Sequence, residues 1–565
     1  MEIGEERTMK HYLKLITALL LCIMVITTMM ACGSSGSTTI QTAAPTTGTT
    51  QSAGTAATTT APMTIDKVTF YMRSFNAVEW EGSKFDKMVQ ERFGLKLDLQ
   101  IVDTTSYAEK YKILFNAGTL PDISTIGVSI PEVTAAGDRG LLLDFYNYIN
   151  IMPNLKKILT DNKGLLPYIT SATGSLYYSP LYFNMGEVVG SKVFAARKDL
   201  LDKAGFDYKS IKDLDGVYAL LTALKKQDPS KYVIGCQYGM SNLYFQGMTM
   251  GANWGPGLWD NNKKQWIANY KQDNLKEFVT FWAKAYADGI LHPDFLTMQR
   301  TDYWQKYFNG ELSAWVDDGN NLDICMENAA AKEYKWTHIV LPEYKGKRYG
   351  ITSSAGLSSS QGRLVSAKTK YPEKIMKFID WCYSNECFFM NWCGEEGVDY
   401  IKLSDEPMQW VTLSNAYAAT LPAQYQSKLL TPEKIAERKI KLPYYLYGLY
   451  AKSSEWYSLG KYKSPEITSL YETAYKDYVK ANLYAVPDPS MTLTGKELEE
   501  YNSLVATIGD YANETIAKMV TGQTDVSKGW DAFLQNIDKY GYTRLMELFN
   551  ISAKNFFSVK PKFNP

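Results

Sequence analysis

The chain has 565 residues, with 60 basic and 60 acidic side chains and a formal net charge of zero. That balance supplies no field to favour nucleic acid or an anionic membrane surface as a partner. Three histidines leave little from which to build a Ser-His-Asp site or a multi-histidine metal centre. Hydrophobic residues make up 45% of the chain, enough for a sizeable core, and the length suggests more than one domain.

Met9-Lys10-His11-Tyr12-Leu13-Lys14 is a short basic start. It is followed by the apolar run Leu15 to Ile26 and then by Thr27-Thr28-Met29-Met30-Ala31-Cys32. Basic, apolar and small-residue segments in that order make a secretory signal, too short for a comfortable membrane-spanning helix. Met9 is the better start, because Glu2, Glu5 and Glu6 spoil the basic region. Met29-Met30-Ala31-Cys32 resembles a bacterial lipobox, with Met in place of the usual Leu three residues before the cysteine, which would make Cys32 the lipidated residue. Residues 33–65 carry no charge and are dominated by Ser, Thr, Ala and Gly, a composition that cannot bury a core and reads as a tether.

The folded part is expected from Asp66. Lys67 to Met72 reads as a strand and Trp80 to Phe93 as a helix closed by Gly94. Leu95 to Ile101 alternates as a half-buried strand, Tyr107 to Ala117 reads as a helix, and Pro121 to Ile126 resumes strand character. Such a βαβ series predicts an α/β sheet with parallel neighbours. Further on, Tyr232 to Cys236 suggests a strand, Asn274 to Asp288 and Asp302 to Asn309 helices, Leu312 to Val316 a strand, and Pro372 the start of another helix. From about Asp405 the pattern is mainly helical. No fixed-period repeat and no second membrane segment stand out.

Six collinear segments carry a family resemblance. They are Asn116 to Ile123, with Leu120-Pro121-Asp122-Ile123; Ala195 to Gly205, with Arg197-Lys198-Asp199; and Asp288 to Phe295. Phe308 to Trp315, Pro372 to Glu386, and Gly394 to Tyr400 complete the set. Together they resemble the extracellular solute-binding proteins of family 1, receptors of carbohydrate ABC importers, and more narrowly the long LplA-like lipoproteins of Bacillus and Paenibacillus. The resemblance implies an α/β, two-lobed periplasmic-binding-protein-like fold of type II, with hinge-linked lobes, an interlobe cleft and a largely helical C-terminal region. It implies residues 66–185 with about 350–395 as lobe 1, and about 186–349 with 396–565 as lobe 2, behind a signal at 1–32 and a tether at 33–65. It further implies a monomeric, non-enzymatic receptor on the outer face of the membrane of a Gram-positive cell. Such a receptor is held by its lipid alone, takes a carbohydrate, binds no nucleic acid, and delivers to ABC permease subunits; the alternatives are the same fold taking a non-sugar solute such as a peptide, or a surface carbohydrate-active enzyme.

Sugar rings present apolar faces and a rim of hydroxyls, so a receptor needs flat aromatics beside acids, amides or Arg. The loop after the first strand offers Arg73, Asn76 and Trp80, although Trp80 equally fits a helix-start residue packed on the core. Trp315, Asp317, Asp318 and Asn320 form a second group at a strand end, where a plain Asp-Gly turn with solvated acids fits as well. Trp254 sits among glycines, and Tyr244 and Tyr400 complete the candidates. The adjacent acids Asp317-Asp318 and Glu395-Glu396 do not provide the opposed acid and base of a glycosidase. No cofactor or metal is expected: Cys382, Cys387 and Cys393 lack zinc-ligand spacing and read as buried thiols, with a disulfide among them left open by sequence alone.

Overall fold

The computed structural model of the chain describes residues 64–74, 80–183, 192–237, 239–253, 255–318, 322, 334–348, 351–352, 356–405, 408–413, 423–431, 433–434, 450–451, 480, 484–485 and 488–565. The expected signal, Cys32 and the tether up to residue 63 lie outside them.

Strand β1 (Asp66–Ser74), helix α1 (Lys84–Phe93), strand β2 (Leu95–Asp103), helix α2 (Thr104–Ala117) and strand β3 (Ile123–Thr125) reproduce the expected alternation. Helix α1 starts later than its apolar stripe because Gly82 turns the chain at φ +75° and Ser83 then caps the helix, accepting from Asp86 N. β1 pairs in parallel with β2 along its whole length, but with β3 only through Phe70–Ile123 and Tyr71–Ser124. The chain thus runs outward from β1 to β2 and crosses back to β3 on the other side. The carboxyl ends of β1 and β3 therefore form a topological switch point, where α/β sheets open a crevice. Helix α3 (Ile130–Asp138) follows behind a capping box between Ser129 and Glu132, and β4 (Ser179–Phe183) comes later.

The middle of the chain builds a second lobe. Strand β5 (Lys192–Arg197), the hairpin of β6 (Gly257–Asp260) and β7 (Gln265–Ala268), helices α4 (Asp273–Ala287) and α5 (Arg300–Phe308), and strands β8 (Ala314–Asp318) and β9 (Trp336–His338) belong to it. β8, β5 and β9 form an antiparallel sheet in that order. The strand expected at Tyr232 to Cys236 contributes only a parallel bridge from Ile234 to Leu291.

The chain then re-enters the first lobe. β10 (Gly356–Val365) inserts antiparallel between β3 and β4, and helices α6 (Pro372–Trp381) and α7 (Asn385–Trp392) follow. With β11 (Tyr450–Ala451), the first sheet reads β11–β4–β10–β3–β1–β2. Parallel neighbours therefore hold for β1, β2 and β3 and for β11 beside β4, while β10 is antiparallel to both its neighbours. Around residue 405 the strands Tyr400–Asp405 and Met408–Thr412 pair as a hairpin, and among the described residues beyond it long helices run from Gly495.

Each lobe has its own core. Val68, Phe70, Tyr107, Tyr111, Ile123, Val133 and Phe145 belong to the first. Phe194, Leu220, Phe278, Trp282 and Trp315 belong to the second, joined by Ile508, Trp530 and Tyr542 of helices α8 (Gly495–Val520), α9 (Val526–Lys539) and α10 (Tyr542–Phe556). The tail beyond α10 returns to the first lobe. Lys562 donates to Gly174 O through its backbone and pairs with Asp144 at 3.0 Å through its side chain, and Phe563 meets the Tyr146 ring.

The connector before α8 makes the same link, with Ser490 Oγ donating to Tyr168 O at 2.7 Å. Two residues earlier, burial pushes the Asp488 carboxyl up to about 6. Because the folded value exceeds the unfolded one, the folded state holds this proton more tightly, and its stability is lost as pH rises between about 4 and 6. Asp488→Asn is therefore expected to raise the urea midpoint at pH 7.5 and to leave it unchanged at pH 4. A gap between variant and wild type that stays constant over this window would contradict the assignment.

Candidate functional site

The switch point holds a depression of about 460 Å³. Arg73 enters from the end of β1. Tyr107, Ala108, Glu109 and Lys112 enter from the first turns of α2, and Ile126, Gly127, Val128, Ser129 and Glu132 from the β3–α3 loop and the start of α3. The Arg73 guanidinium is partly exposed and has no acidic partner among the described residues. Glu132 is committed: it accepts from Ser129 N at 2.9 Å and from the Ser129 hydroxyl at 2.7 Å, and Lys112 lies 4.0 Å away. Arg73 and Glu109 remain to meet a solute, one donating and one accepting, in a depression that the buried Tyr107 also lines. That set suits hydroxyl groups, each of which donates one hydrogen bond and accepts others. A second depression of about 340 Å³, on the other lobe, is lined by Asp294, Thr297, Met298, Asp302, Gln305, Lys306 and Glu311 and has no aromatic wall.

Of the residues singled out by sequence, Arg73 reaches the crevice. Four others are packing residues in this conformation. Trp80 is 8% exposed and sits edge-on to Phe85, its indole N–H donating to Leu97 O at 3.2 Å. Trp315 is fully buried between Tyr303 and Tyr307. Tyr244 lies against Phe278, and Tyr400 stacks on Phe389 with ring centroids 5.0 Å apart. The common physical reason is that a large ring gains more from a protein neighbour than from solvent. Asn76, Trp254 and Asn320 lie outside the described residues, as do the side chains of Asp317 and Asp318, whose backbones pair with Val193 and Lys192 in β8. Sequence reasoning missed Glu109, Lys112 and Ser129. The available signal was Gly127 directly after the β3 apolar run, since a glycine there lets the backbone lie close on α2.

No group of three or more His, Cys, Asp or Glu side chains suited to a metal ion occurs among the described residues. Cys236, Cys382, Cys387 and Cys393 are buried thiols, and no disulfide joins them among the described residues. Burial pushes the Cys387 thiol well above its ordinary range.

A family model described as bacterial extracellular solute-binding protein matches residues 77–386. Lipoprotein LipO of Bacillus subtilis (strain 168) is 21% identical over 478 residues, covering 82% of this chain and 87% of LipO. The fructooligosaccharide ABC transporter substrate-binding protein FusA of Streptococcus pneumoniae serotype 4 is 23% identical over 492 residues, covering 81% of this chain and 84% of FusA. Among solved structures, an HMO-binding, ABC-transporter-associated solute-binding protein from Bifidobacterium longum infantis superposes with a TM-score of 0.69 at 15% identity. It covers 87% of this chain and 99% of its own. The fold is thus the two-lobed α/β architecture of periplasmic solute-binding proteins.

Proposed function

The chain belongs to the bacterial extracellular solute-binding proteins, and from that premise we propose that it captures a carbohydrate, an oligosaccharide, outside the cell and hands it to the permease of an ABC importer. The observation that carries the proposal is the hydroxyl-matching crevice at the β1–β3 switch point, with Arg73 free to donate beside Glu109 and Tyr107. A fructooligosaccharide-binding relative of similar length supports the ligand class. The lipobox-like Met29 to Cys32 and the uncharged stretch behind it support a lipid anchor at Cys32, with residues 33–65 as the tether. No opposed pair of catalytic carboxylates is needed for this role, and the protein acts as a monomeric receptor without turnover.

A ligand that binds only the folded state raises the melting temperature. Screening with glucose, sucrose, kestose, a mannooligosaccharide and a peptide pool is expected to give a shift from at least one oligosaccharide. Arg73→Ala is expected to melt within about a degree of wild type without ligand, because its side chain is partly exposed and unpaired. It should lose most of the saccharide shift, equivalent to about tenfold or more in affinity. Equal shifts in the two proteins would remove Arg73 from the site.

A further inference from the structure

The β1–β3 ladder stops short of the crevice. Its last rung joins Tyr71 to Ser124, while β1 runs on to Ser74 and β3 to Thr125. Across this gap lies the Tyr107 hydroxyl, which donates to Thr125 O at 2.7 Å and sits 3.3 Å from Tyr71 O. Its ring stacks on Tyr111 with centroids 5.6 Å apart and tilts against Tyr71 at 5.3 Å. Gly127 rests on the same pair: a Cβ there would fall 2.6 Å from the Tyr111 ring and 2.8 Å from that of Tyr107. On its other side β3 is tied to β10, Ile126 N donating to Gly362 O at 3.0 Å. Burial raises the Tyr107 hydroxyl far above its ordinary range, so it remains a donor.

We infer that Tyr107 is a positioning residue of the crevice: its hydroxyl replaces the missing rung and sets the separation of the strand ends that carry Arg73 and the Ile126–Ser129 loop. The inference about ligand affinity rests on the saccharide reading, whereas the inference about strand separation rests on backbone geometry alone. Tyr111 provides the control. It belongs to the same stack and is equally buried, but its hydroxyl bonds the Ser124 side chain at 2.9 Å and touches no strand-end carbonyl.

The test compares Tyr107→Phe with Tyr111→Phe, both of which keep the stacked rings. By amide hydrogen exchange without ligand, Tyr107→Phe is expected to speed exchange at Met72 to Ser74 and Ile126 to Ser129 about tenfold, and Tyr111→Phe to leave these amides unchanged. Kestose, if the wild type binds it, should leave Tyr107→Phe about tenfold faster than Tyr111→Phe. Unchanged exchange at both strand ends overturns the positioning role, whether or not a sugar binds. Faster exchange with equal kestose release from both variants overturns the effect on affinity and leaves the saccharide reading intact. A wild type that binds no saccharide sinks that reading, and the exchange result alone then decides the role of Tyr107.

Discussion

Trp315→Ala is expected to lower the free energy of unfolding by about 3–5 kcal/mol, the loss typical of emptying a fully buried aromatic site. The indole is enclosed by Tyr303 and Tyr307 at ring separations of 5.3 and 4.6 Å, and it belongs to the core that also holds Trp282 and Phe278. Its N–H has no hydrogen-bond partner among the described residues. Trp315→Phe, which keeps most of the ring and removes that unsatisfied donor, should therefore cost far less than the alanine variant. Urea unfolding of the three proteins checks this. A Trp315→Ala protein with wild-type stability but no saccharide binding would show that the ring serves the ligand and not the core.

Arg197→Ala is expected to cost about 3 kcal/mol, at the low end for a broken buried pair because Asp199 keeps some contact with solvent. Arg197 sends two hydrogen bonds to Asp199, at 2.8 and 2.6 Å, and its guanidinium lies 3.7 Å from the centre of the Tyr334 ring. Burial alone would raise the Asp199 carboxyl, yet the hydrogen bonds and charge of Arg197 hold it below its ordinary range. This contribution is present above the unfolded carboxylate pKa and is lost as pH falls through the folded one. Arg197→Lys keeps the charge but not the planar fork, and should recover only part of the stability. Full stability in Arg197→Ala would contradict the pairing.

Arg197 also explains what the family-like segments do. Tyr334 links two of them, because the Gly310 position at φ +68° leaves room for its hydroxyl where a Cβ would come within 2.3 Å. Asp122 of the Leu-Pro-Asp segment accepts from Thr69 N, the Thr69 hydroxyl and Thr369, tying β1 to the loop before α6. Glu386 takes two hydrogen bonds from Arg92 and one from the Trp381 indole, and Asp399 accepts from Glu395 N within its own turn. The residues of these segments brace each lobe internally.

The βαβ order from β1 to β3 followed from local alternation and apolar spacing, because those patterns are set by the faces the elements bury. The boundary of α1 did not, since Gly82 and Ser83 act through backbone geometry rather than hydrophobic period. The strand that carries Trp315 is legible in the sequence, but alternation alone does not say whether its face meets a cleft or a core. Glu109 and Lys112 read as an ordinary solvated helix face, and only the crossover back to β3 brings them opposite Arg73. Long-range topology, absent from any local window, assembles the crevice.

Calorimetric titration of the purified chain tests most directly whether this crevice receives a saccharide. An oligosaccharide from the screened set should bind with one-to-one stoichiometry, and Arg73→Ala should weaken that binding without altering the fold. Saturable heat from the peptide pool, with none from any saccharide, would contradict the account.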